Sequence, residues 1–149
     1  MSYYLRLATK DDELEVKQLY KDHPEEVKQH NLYRHIASFF IYPKNIEVYV
    51  WIFEDKIVAC FSFIIRGETC TMRSGLCHKD HRGKNFMKHI YYLLKDRIPQ
   101  TNCTTFYFKY NVGASFGKPT KRIAEGYKMK TSDSGYNIFS INVDKIGDI

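Results

Sequence analysis

The stretch of this chain richest in reactive residue types reads Leu76-Cys77-His78-Lys79-Asp80-His81-Arg82-Gly83-Lys84-Asn85-Phe86-Met87-Lys88. Its pattern is the end of a strand, a short polar loop, and a helix that opens on Arg-Gly-Lys. The first N–H groups of a helix have no internal acceptors, and the macrodipole adds positive potential there. A glycine and several bases at such a junction make a competent site for phosphate or pyrophosphate; the plain alternative is a surface turn with a helix start. Cys77, His78 and His81 also invite metal or thiol chemistry. Three such residues, with no fourth ligand at zinc spacing, make a poor structural site, so no metal is expected. Neighbours on a strand point to opposite faces, which argues against Cys77 and His78 as a nucleophile pair.

These bases belong to a wider excess. The 149 residues carry 23 Lys+Arg against 17 Asp+Glu, a formal net charge of +6. That balance suits an anionic partner, whether nucleic acid, a membrane surface or a phosphate-rich small molecule. Hydrophobic residues make up 44% of the chain, with 12 Tyr and 10 Phe, which excludes a disordered chain and allows one core. The opening MSYYLRLATKDDELE has no apolar stretch after a basic one, so no secretory signal is read there. The apolar runs 48–53 and 57–65 are too short to span a bilayer, and no membrane partner is expected. Cys60, Cys70, Cys77 and Cys103 include no C-x-x-C pair, and free buried thiols in a cytoplasmic protein are the expectation.

The elements that must position the loop can be read from periodicity. No linker or repeat divides the chain, so residues 1–149 are read as one domain. Residues 3–8 form a short strand. Thr9 and Asp12 have capping-box spacing, and Leu14, Leu19 and Tyr20 follow at roughly helical intervals. His23-Pro24-Glu25-Glu26 restarts a helix, with proline in its first turn, and Leu32, Ile36, Phe39 and Phe40 continue an apolar stripe. Residues 46–53 and 57–65 make a hairpin around Glu54-Asp55-Lys56, and 69–77 add a third strand through Arg66-Gly67-Glu68. Phe86, Ile90, Leu93 and Leu94 line a helix that ends at Pro99. A strand at 104–110, a short helix at 119–125 closed by Gly126, and a hairpin of 127–130 with 136–143 complete the chain. The order is β-α-α-β-β-β-α-β-α-β-β, an α/β chain with a crossover helix.

Element order and the loop together resemble the GNAT superfamily of N-acetyltransferases. Arg82-Gly83-Lys84 is similar to the start of that family's acetyl-CoA motif, R-x-x-G-x-G/A, and Gly126-Tyr127 resembles the turn into its sixth strand. Asn85 and Met87 stand where the family usually has two glycines. The resemblance implies a GNAT fold: a mixed, mostly antiparallel sheet of six to seven strands with flanking helices. It implies acetyl-CoA as co-substrate. Leu76, Cys77 and His78 would pair with the pantetheine amides, after which the fifth strand splays away to open a cleft. Arg82, Gly83, Lys84, Asn85, Phe86, Met87 and Lys88 would surround the pyrophosphate. Ser115 and Lys118, with Lys121 and Arg122, would lie near the adenine and 3′-phosphate, or else form a solvated basic face. On this reading much of the positive charge serves a phosphorylated small molecule, and a nucleic-acid partner is compatible but not required.

Acetyl transfer needs a neutral amine, donors for the oxyanion, and a proton for the leaving thiolate. The resemblance implies a base on or near the fourth strand, for which Glu68, Glu47 and His78 are the candidates. The tyrosine that the family commonly uses as general acid is replaced by Arg122, leaving Tyr127 or Tyr110 as the substitute. The acceptor, a small-molecule or peptide amine, would lie near His23, Tyr33, Arg34 and Tyr136. The activity expected is direct N-acetyl transfer by a monomer or homodimer. A second reading is a GNAT-fold binding or inhibitory module, acting on a protein or nucleic acid without turnover.

Overall fold

The computed structural model describes residues 2–30, 45–84, 86, 95–110, 130–131 and 137–142. Seven strands form one sheet in the order β1-β2-β3-β4-β5-β7-β6. They are β1 (Tyr4–Leu7), β2 (Ile46–Phe53), β3 (Lys56–Arg66), β4 (Thr69–Cys77), β5 (Thr105–Tyr110), β6 (Lys130–Thr131) and β7 (Asn137–Asn142). Every neighbouring pair is antiparallel except β4 with β5, which is parallel. A parallel neighbour requires a crossover, and residues 95–97 are the end of a helix lying between these two strands. The mixed, mostly antiparallel sheet is the fold expected from the sequence.

The β2–β3 hairpin closes through Glu54 and Asp55, whose φ values of 50° and 63° are both positive. Positive φ at both central residues is the signature of the type I′ turn, whose twist matches that of the strands it joins. Opposite faces of β2 then build two different cores. Val48, Val50 and Ile52 meet Val16, Leu19 and Tyr20 of α1 (Glu13–Lys21) and Val27 of α2 (Pro24–His30). Tyr49 and Trp51 face the other way and pack with Phe61, Phe63, Phe86, Ile98 and Phe106. Period-two alternation therefore assigns aliphatic residues to one helix layer and aromatic ones to the other.

The turn before α1 is held by Asp12, whose Oδ2 accepts from the Thr9 N–H at 2.7 Å, the reciprocal half of a capping box. The same carboxylate takes a two-point grip from Arg6 at 2.7 and 2.9 Å, which holds it below the usual aspartate range. One sequence expectation for α1 shifts. Leu14 is 81% exposed, and the buried stripe is Val16, Leu19 and Tyr20, at i, i+3 and i+4. The stripe from Leu32 to Phe40, the helix at 119–125 and most of the 86–94 helix lie outside the described residues. All four cysteines are buried and unbridged.

Candidate functional site

The register of β4 creates an opening in the sheet. Its ladder with β5 runs from Thr69 opposite Thr105 to Met72 opposite Phe108. Beyond that, β4 continues along β3 to Cys77, while β5 continues along β7 to Tyr110. The two strands therefore part after Met72, well before the strand exit at Cys77 where the sequence reading put the opening. Among the described residues no strand pairs with this side of β4 beyond Met72, and such an edge can offer backbone groups to an extended ligand rich in amides.

A bulge lies at this edge. Cys60 faces Leu76 and Ser62 faces Arg73, so Phe61 alone on β3 stands against Ser74 and Gly75 on β4. A Cβ at Gly75 would come within 1.7 Å of the Cys60 carbonyl oxygen, and the next contacts are also backbone. Only glycine permits this approach of two chains. Gly75 is absent from the sequence candidates, although an isolated glycine inside a strand pattern is the signal for such a bulge.

The loop after β4 is fixed from three directions. The His78 N–H donates to Val58 O at 2.7 Å, which extends the sheet by one bond. His23 lies buried at the corner between α1 and α2. Its Nδ1 bonds Leu19 O at 2.8 Å, and its Nε2 accepts from the Lys79 N–H at 3.0 Å. A carbonyl at one nitrogen and an N–H at the other assign the neutral ring with its proton on Nδ1. On the other flank, His81 Nδ1 bonds the Tyr3 hydroxyl at 2.8 Å, and Tyr3 stacks on Phe53 at 4.5 Å. The turn Lys79–His81 leads to Arg82 and then to Gly83, whose φ is 78° with open space where a Cβ would stand.

Arg82 reaches back across this loop. Its Nε donates to the Cys77 carbonyl at 3.1 Å and its Nη2 to Glu26 Oε2 at 2.5 Å. A polar cleft of about 460 Å³ opens here, with Asp22, His23, Glu25 and Glu26 on one wall and Lys79 and Arg82 on the other.

His78, the first residue after β4, places its ring against that of His23. Its Nδ1 accepts from the Asp80 N–H at 3.1 Å, so the neutral ring carries its proton on Nε2. Burial holds its pKa below the usual 6.5. Leu76, Cys77, His78, Arg82, Gly83, Lys84 and Phe86 are thus gathered at one end of β4 and the loop that leaves it.

The two glutamates are not brought to this place. Glu68 is exposed in the turn at the opposite end of β4, the length of a nine-residue strand away or about 30 Å. Glu47 accepts two bonds from Arg97, each 2.9 Å, and a third from the Tyr49 hydroxyl at 2.9 Å. Burial and that carboxylate push the Tyr49 hydroxyl well above its ordinary pKa. The arrangement pins the end of the crossover helix to β2, and no pattern in the sequence signals the pairing of Glu47 with Arg97. Asn85, Met87, Lys88, Ser115, Lys118 and Tyr127 lie outside the described residues, as do Tyr33, Arg34 and Tyr136. No cluster of His, Cys, Asp and Glu among the described residues is arranged to hold a metal ion.

The model of the acetyltransferase (GNAT) family matches residues 13–115. No curated protein matches the chain. Among solved structures, the PaiA N-acetyltransferase from Thermoplasma acidophilum, in complex with coenzyme A, superposes with a TM-score of 0.70 at 11% identity, covering 95% of this chain and 99% of that one. An N-acetyltransferase from Staphylococcus aureus Mu50 gives 0.69 at 13% identity, with 96% and 99% covered. The ribosomal-protein-alanine N-acetyltransferase from Brucella melitensis biovar Abortus 2308 gives 0.67 at 17% identity, with 83% and 91% covered. At such identities the likeness is one of fold.

Proposed function

The chain belongs to the acetyltransferase (GNAT) family, and on that footing we propose that it moves an acetyl group from acetyl-CoA to a primary amine by direct attack. The observation that carries this reading is the parting of β4 from β5 after Met72, beside the Gly75 bulge and the Arg82-Gly83-Lys84 turn. The residues present suit this co-substrate. An open strand edge can pair with amides, Gly83 leaves room for close approach, and Arg82 and Lys84 flank it with positive charge.

When bound, acetyl-CoA supplies an activated acyl thioester. The chain's part is to align that group and manage charge and protons. Backbone N–H groups of the open edge around Gly75 and Cys77 are the donors we assign to the acyl oxygen, where negative charge develops. We assign His78, neutral near pH 7 and carrying its proton on Nε2 just after the end of β4, as the hydrogen-bond donor to the departing sulfur. Tyr127 is the second candidate for that proton. Glu47, saturated by Arg97 and Tyr49, and Glu68, at the far end of β4, are poorly suited as bases. The amine acceptor, a small molecule or a peptide, is assigned to the acidic wall of the polar cleft, at Asp22 and Glu25 of the α1–α2 corner, and the opposite wall at Arg82 is left to the phosphates. Residues 1–149 act as a single domain in this reading.

A GNAT-fold binding module without turnover is the second reading, favoured by Asn85 and Met87 at the motif's glycine positions. Following thiol release from acetyl-CoA against a panel of amines separates them. Turnover with at least one amine supports the enzyme, and tight binding with no thiol release across the panel supports the module.

A further inference from the structure

The guanidinium assigned above to the co-substrate's diphosphate already holds an anion. Arg82 Nη2 meets Glu26 Oε2 at 2.5 Å, while its Nε is taken by the Cys77 carbonyl at 3.1 Å. The carbonyl bond fixes the plane of the fork, so the Glu26 carboxylate occupies an edge of the guanidinium that a phosphate would use. Glu26 is the more enclosed partner, its side chain 12% exposed against 41% for Arg82. Both line the same polar cleft, where Asp22 and Glu25 add negative charge and Lys79 adds positive.

We propose that Glu26 sets the affinity for the co-substrate's phosphates by competing with them for Arg82, which the Cys77 carbonyl already holds in place. This role rests on the acetyl-CoA reading of the site. A phosphate that enters must take Arg82 over from a carboxylate and accept the proximity of that negative charge. Neutralising Glu26 without changing its shape removes both the competition and the repulsion. A glutamate on α2 that merely stabilised the fold would have the opposite signature, since its loss would loosen the cleft and weaken every ligand.

The test is calorimetric titration of coenzyme A, inorganic pyrophosphate and pantetheine into the wild type, Glu26→Gln, Arg82→Ala and the double variant. The Gln variant is expected to bind coenzyme A and pyrophosphate roughly two- to fivefold more tightly, the scale of a partly exposed charge pair. Pantetheine, which has no phosphate to gain from it, should be unaffected. On the Arg82→Ala background the gain should shrink to the part that relief of repulsion supplies, because the competition runs through the Arg82–Glu26 contact. Unchanged or weaker coenzyme A binding in Glu26→Gln, with its thermal midpoint preserved, would overturn the role, as would an equal gain for pantetheine. Should none of the four proteins bind coenzyme A, the acetyl-CoA reading itself fails, and the role fails with it.

Discussion

Adding one methyl group at Gly75 asks whether the bulge is a requirement of this sheet. The new Cβ would sit 1.7 Å from the Cys60 carbonyl oxygen, and a strand backbone cannot yield as a flexible side chain does. Gly75→Ala is expected to cost roughly 3 kcal/mol or more, read as a lowered urea midpoint. An unchanged midpoint would show that the bulge does not confine the chain there. His78 offers a test of charge. Because its folded pKa lies below the usual 6.5, the unfolded chain binds more protons just beneath that value. Its contribution to stability is therefore complete above about pH 6.5 and is lost as the pH falls toward the folded value. His78→Asn keeps an acceptor for the Asp80 N–H but cannot titrate. The variant should lose less stability than the wild type between pH 7 and pH 5 by chemical denaturation, and equal losses would refute the assignment. Asp12 does not blur this comparison, since its folded pKa lies below 3.8 and its window is lower. Legibility at this scale was uneven. The loop Cys77 to Lys84 was visible in sequence as a strand exit followed by bases and glycine. Glu26 was not, because its pairing with Arg82 spans 56 residues and follows from the fold.

Among the elements, the β2–β3 hairpin was legible almost to the residue, since β-branched and aromatic runs on either side of a short polar turn leave few alternatives. Its turn is also a reservoir of strain, because Glu54 and Asp55 adopt positive φ without being glycine or asparagine. The double substitution Glu54→Asn with Asp55→Gly should raise stability by about 1 kcal/mol, and a lowered midpoint in thermal unfolding would contradict the type I′ assignment. The stripe of α1 was misplaced, Leu14 for Val16, because exposed leucines are common on a helix that packs only one face. The parting of β4 from β5 was expected at the strand exit and occurs after Met72. Where two parallel strands separate depends on which neighbour each retains, and period-two patterning does not encode it. Arg97 with Glu47 is likewise a product of the crossover, which returns the helix end to β2.

For the molecule as a whole, the formal charge of +6 was compatible with several classes of anion. The fold narrows what that charge can do, because one sheet opening, one glycine turn and two adjacent bases occur at the same end of β4. Among the described residues no helix is long and apolar enough to cross a membrane. The central claim is that acetyl-CoA binds at this opening with Arg82 engaging its phosphates. Calorimetric titration of acetyl-CoA into the wild type and Arg82→Glu tests it directly. The expected result is saturable, single-site binding to the wild type, weakened roughly tenfold or more by the charge reversal. No heat and no thermal shift at millimolar acetyl-CoA, or equal affinity in the two proteins, would contradict it.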